Sequence, residues 1–122
     1  MGDMTIKTPT PQGISRLLRE AGFPRSDYGA KGVMYGSAST GFSAWKTHHR
    51  DHPGQPYVAV QYVVKGMHAT DEDWEGYLQL APVMLEHYAK VIRKAGYPAL
   101  VRLRGQEPPW LTILTVAKGE AA

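Results

Sequence analysis

The chain contains no cysteine. That excludes a disulfide scaffold, a thiol nucleophile and any thiolate-held zinc or iron–sulfur centre, and it suits a reducing compartment. Long apolar runs are missing too. The most strand-like stretch, YVAVQYVV at residues 57–64, is too short to span a bilayer and carries a glutamine inside it. The opening MGDMTIKTPTPQG lacks the basic start and apolar block of a secretion signal, and Ile6 stands where a myristoylation pattern needs Ser or Thr. A cytoplasmic protein with no membrane partner is expected. No Gly-x-Ser-x-Gly elbow, phosphate loop or RNP pattern occurs, so no catalytic residue and no cofactor is assigned.

What is present is the composition of a folded domain. Over 122 residues, 43% are hydrophobic and 20% charged, enough for one domain (residues 1–122) with a modest core, flanked by loose tails at 1–9 and 118–122. The net charge is +3 and the pI about 9.2. Four acids, Asp71, Glu72, Asp73 and Glu75, crowd together, so the rest of the surface is more positive than the average implies.

Two near-copies, REAGFP at 19–24 and RKAGYP at 93–98, punctuate the chain. Each follows an apolar stripe of helical period: Ile14, Leu17, Leu18 and Ala21 in the first, Leu85, Tyr88, Ala89 and Ile92 in the second. In each, glycine supplies a left-handed residue, the aromatic folds back on the last turn, and proline stops the helix. Thr10 before Pro11 and Thr70 before an acidic turn predict the N-caps. The second stripe begins at Trp74 and is interrupted by Pro82: either one long helix kinks there or, the favoured reading, two helical pieces form, joined or nearly so.

After each cap the pattern turns to strands. KGVMYGSA and GFSAWKT read as a hairpin, PYVAVQYVVKG as a strand apolar on both faces, and PALVRLR and WLTILTV as a closing pair. The expected fold is α+β: two main helices on one face of a mostly antiparallel four- to five-stranded sheet. The recurring hexamer suggests an internal αββ duplication; the competing reading is chance recurrence of a common helix ending.

The sequence supports three functional readings. The leading one is a small non-enzymatic module contacting nucleic acid through a basic-aromatic sheet face built from Lys31, Tyr35, Trp45, Lys46, Arg50, Arg102 and Arg104. The bland alternative for the two strand arginines is an ordinary solvated face. The second reading is a protein-interaction module, a homodimer or an inhibitor of a partner, with Tyr35, Trp45, Tyr57, Tyr62 and Trp110 as anchors. The third is a metal-dependent enzyme using His48, His49, Asp51 and His52, residue types that ligate divalent metals. That segment breaks at Pro53-Gly54, which favours an exposed polar loop, so no metal is assigned.

In layout, LLREAGFPRS, GVMYGSASTGFSAWKT, PYVAVQYVVKG and YAKVIRKAGYPALVRL resemble small hypothetical proteins of actinobacteria and their phages, over residues 12–116. The resemblance implies a mobile-element accessory or regulatory role and transfers no site residue.

Overall fold

A computed structural model describes residues 6–28, 30, 32–33, 37–48, 56–67, 69–104, 111–117 and 119–120. The element order is β1 (Ile6–Lys7), α1 (Pro11–Glu20), β2 (Gly41–His48), β3 (Pro56–Val63), α2 (Asp71–Lys94), β4 (Ala99–Arg104), β5 (Leu111–Val116) and β6 (Gly119–Glu120). The main sheet is four-stranded and antiparallel throughout, in the order β2-β3-β5-β4. Both helices cover one of its faces, so the α+β architecture expected from the sequence is the one observed.

The helix ends form as their residues dictate. Thr10 Oγ1 accepts the Gly13 N–H at 3.0 Å, and Thr70 Oγ1 accepts the Asp73 N–H at 3.0 Å while donating to the Asp73 carboxylate at 2.7 Å. At the other ends the two hexamers adopt the same geometry. Gly22 (φ 96°) and Gly96 (φ 99°) are both left-handed. Phe23 N–H reaches back to the Leu18 carbonyl as Tyr97 N–H does to Ile92; Gly22 N–H bonds Arg19 as Gly96 N–H bonds Arg93. Both are Schellman caps, and both aromatic rings pack against the core as latches.

The topology answers the repetition in the sequence. Each half runs helix, cap, outer strand, inner strand in space, and the two inner strands β3 and β5 pair at the centre of the sheet. The strand order is therefore symmetric about the central β3–β5 pair.

One core holds the layers together. Ile14 and Leu18 of α1 and Tyr77, Ala81, Leu85, Tyr88, Ala89 and Ile92 of α2 are buried on Phe42, Val58, Val60, Tyr62, Leu114 and Val116 of the sheet. Tyr88 sits at the junction, edge-on to Phe23 at 4.9 Å and to Phe42 at 5.9 Å. Tyr77 Oη donates to the Tyr62 carbonyl at 2.6 Å.

Several expectations are corrected. α2 is one helix through Pro82, not two pieces. Its buried stripe continues on both sides of the proline, and burying side chains as large as Leu85 and Tyr88 outweighs the ~3 kcal/mol that an internal proline costs. The strand expected over KGVMYGSA does not form at its described positions: Gly32, Val33, Ser37 and Ala38 lie in turns and irregular structure. Ile6–Lys7 and Gly119–Glu120, expected in loose tails, pair antiparallel with each other.

Candidate functional site: the groove at the β2 edge

The first-half connection between cap and outer strand is long, and its ends are pinned to β2. Phe42 N–H donates to the Pro24 carbonyl at 3.1 Å and the Ser26 N–H to the Phe42 carbonyl at 2.8 Å, which makes Arg25 a parallel partner of Phe42. This approach requires Gly41: a Cβ there would lie 2.5 Å from the Pro24 oxygen and 2.7 Å from the Ser26 nitrogen. Further along, Asp27 and Ser39 bond reciprocally, Asp27 N–H to Ser39 Oγ at 3.0 Å and Ser39 N–H to Asp27 Oδ1 at 2.7 Å. The connection is thus a closed loop standing against the edge of the sheet.

Trp45 stands at the centre of what this creates. It is half-buried on β2, opposite Ala59, and two open clefts meet at it. One, of about 870 Å³, lies between the loop and the strand and is lined by Arg25, Asp27, Tyr28, Ser43, Trp45 and Gln61 among others. The second, of about 810 Å³, lies between α1 and the strand and is lined by Arg16, Arg19, Glu20, Arg25, Ala44 and Trp45 among others. Three guanidinium groups face one carboxylate in the second cleft. Arg16, Arg19 and Arg25 are exposed, and none forms an ion pair with another described residue.

β2 is also an edge strand. Since the N–H and C=O of Phe42 point outward, the alternation of an antiparallel ladder turns those of Ala44 outward as well, onto the rim shared by both clefts. Flat aromatic surface, guanidinium groups with no ion pair among the described residues, and outward backbone donors converge here.

The residues expected from the sequence are brought together only in part. Register aligns Trp45, Ala59, Thr115 and Leu100 in one row across the face away from the helices. Arg102 and Arg104 occupy the next alternate positions beyond Leu100 on β4, opposite Ile113 and Leu111. These positions alternate with the Trp45 row but lie on the other edge strand, three strands across at ~4.8 Å each and two and four residues further along, so about 16 and 20 Å from Trp45. Lys46, next to Trp45, alternates to the helix-covered side, so it does not belong to that face. Lys31, Tyr35 and Arg50 lie outside the described residues.

The face itself is partly clothed. Leu100 is 61% exposed, while Ala59 and Val63 are buried. Trp45 and Thr115 flank Ala59, and Val63 joins the same buried cluster as Ala38 and Met67 from the connecting segments. Of the expected interface anchors, Trp45 and Tyr57 are half-buried, but Tyr62 is buried in the core, stacked on Tyr77 at 6.5 Å. Tyr35 and Trp110 lie outside the described residues. So do His49, Asp51 and His52, whereas His48 ends β2; among the described residues no group of three or more metal-ligating side chains occurs. No described helix is long and apolar enough to cross a membrane.

Sequence pattern places Arg16 and Arg19 on the wet side of a helix and gives Arg25 no role. The signal that could have found them is spacing. Arg16 and Arg19 are i, i+3 neighbours on one helix face, and Arg25 directly follows the cap that returns the chain to the sheet.

Comparison with known proteins adds no assignment: no family model, no curated protein and no solved structure matches the chain.

Proposed function

We propose that the protein is a non-enzymatic module that binds single-stranded nucleic acid at the β2 edge, with Trp45 as the stacking platform and Arg16, Arg19 and Arg25 as the phosphate contacts. The observation that carries this reading is the pair of open clefts meeting at Trp45, one lined by three arginines against a single acid. A base has a flat face to lay on indole, and stacking of this kind contributes ~1–3 kcal/mol per base without selecting sequence. Guanidinium groups meet phosphate oxygens in bidentate fashion. The outward Ala44 N–H adds a neutral donor of the sort that fixes a backbone in place. The layout shared with small actinobacterial and phage proteins fits an accessory or regulatory role in a mobile element.

The test is anisotropy of a labelled single-stranded oligonucleotide across a salt series. Three phosphate contacts give a slope of about −2 in log K against log salt for single strands. Replacing Arg16, Arg19 and Arg25 together by alanine is expected to flatten the slope and weaken binding by at least ~10-fold, with the unfolding midpoint unchanged. No binding by the wild type at low salt overturns the proposal. The open β2 edge favours a second reading, capture of an acidic extended peptide as an added strand. Competition by polyglutamate but not by the oligonucleotide is the outcome that selects it.

A further inference from the structure

α2 carries a second surface, on the side opposite the core. At about 100° per residue, Glu72, Gly76, Leu80, Val83, His87, Lys90 and Lys94 fall along a single line of this helix, and all seven are exposed. Leu80 and Val83 are 42% and 53% exposed, two of only three large apolar side chains so exposed among the described residues. They sit at the midpoint of Asp71–Lys94. One turn before Leu80 stands Gly76, in a helix interior where glycine costs about 1 kcal/mol relative to alanine. No described residue outside its own helix turn requires it, since a Cβ there would have none within 4 Å. A bare helix surface beside an apolar pair is what close approach of another helix needs.

The charges say which helix. The first turn holds Asp71, Glu72 and Asp73, followed by Glu75, while Lys90, Arg93 and Lys94 close the other end. Those charges suit the dipole of their own helix, and they also make the stripe complementary to itself when reversed. Two copies laid antiparallel with Val83 on the two-fold axis set Glu72 of one against Lys94 of the other, and Gly76 against Lys90, with Leu80 beside the axis. The two helix dipoles then run opposed. We infer that this face is an isologous dimer interface, α2 against α2 of a second copy, antiparallel and centred on Val83. It lies on the far side of the helices from the sheet and is separate from the Trp45 clefts.

The lack of cysteine makes the test direct, because any introduced thiol is the only one in the chain. Val83→Cys places it on the proposed axis. Glu72→Cys places it on the same stripe but about 16 Å from Val83 at 1.5 Å per residue, so in an antiparallel pair the two Glu72→Cys thiols stand some 33 Å apart. Under mild oxidation at micromolar protein, Val83→Cys is expected to form a covalent dimer at least ten times faster than Glu72→Cys. Equal slow rates, or a faster rate for Glu72→Cys, overturn the proposal. Light scattering on the unmodified protein should rise with concentration toward twice the 13.5 kDa chain mass. A constant monomer mass up to millimolar concentration also overturns it. Charge reversal separates pairing from folding. Glu72→Lys alone and Lys94→Glu alone should each weaken the dimer several-fold, and the double variant should restore it even though both changes oppose the helix's own dipole. A double variant no better than the singles counts against the arrangement.

Discussion

The two halves of the molecule share a helix cap and differ in the connection from that cap to the sheet. In the second half β4 starts at Ala99, directly after Pro98, and the chain proceeds straight into the outer strand. In the first half the chain leaves Pro24, touches β2 once through Arg25, closes a loop between Asp27 and Ser39, and only then enters its outer strand at Gly41. The shared part is structural: a left-handed glycine, a latch aromatic and a proline, with hydrogen bonds matched residue for residue. The clefts, the arginine cluster and the half-buried tryptophan all belong to the half that carries the extra loop. The matched caps close the core in both halves, while the segment joining Pro24 to Gly41 has no counterpart in the second half, and interposed loops of this kind are where surfaces are built.

The largest test of that contrast is Gly41→Ala. The added Cβ meets the backbone of Pro24, Arg25 and Ser26, none of which can rotate away, so the loop must detach from β2 or the strand must shift. We expect a loss of about 3 kcal/mol in urea denaturation, within the range of strongly disruptive single changes. A loss below ~1 kcal/mol would show that the loop is not pinned as described. The two caps offer a smaller, symmetrical test. Gly22→Ala and Gly96→Ala each force a Cβ into the left-handed region and should each cost about 1 kcal/mol. Clearly unequal losses would break the equivalence of the two endings.

The smallest expected effect lies where the halves meet. The Tyr88 hydroxyl is buried without a hydrogen-bond partner among the described residues. Removing it with Tyr88→Phe relieves an unsatisfied polar group and should stabilise the protein by about 0.5–1 kcal/mol at neutral pH. Burial, and then the neighbouring Tyr62, push the Tyr88 hydroxyl well above the ordinary tyrosine range; burial alone raises Tyr62. A raised folded-state value means that the folded protein holds a proton which the unfolded chain releases near pH 10. Stability from this source is complete below pH 10 and falls as the pH climbs past it, for Tyr88 by about 1 kcal/mol between pH 10 and 11. The margin of Tyr88→Phe over the wild type should therefore widen across that interval. An unchanged margin would contradict the buried hydroxyl.

Much of this architecture is legible in the chain. Both N-caps, both Schellman caps and the β4–β5 strand pair arise from local rules, because caps and alternation are decided within a few residues, whereas the partner of β2 is β3 and not KGVMYGSA. The hydrophobic stripe of α2 is legible as well, but its continuity through Pro82 is not, since a proline's cost is local and the packing that outweighs it is spread along the sheet. KGVMYGSA misleads for a similar reason. Val33 and Ala38 pack with the core, yet they do so from a loop, and periodicity cannot separate burial in a strand from burial in a wrapping segment. The site is the least legible part. Trp45 stands out by its chemistry, and alternation alone already separates it from Lys46. The neighbours that give it meaning come from α1 and from Arg25, joined to it by a long-range contact with Phe42 that no sequence window contains.

Ultraviolet cross-linking of a bound oligonucleotide, mapped by mass spectrometry, decides where on the sheet the ligand sits. Attachment at Trp45 and in the peptides spanning residues 11–30 is the result expected if the interposed loop and α1 form the groove. Attachment confined to residues 99–104, with none at Trp45, would move the site to the half that lacks the loop and contradict the division of labour between the two halves.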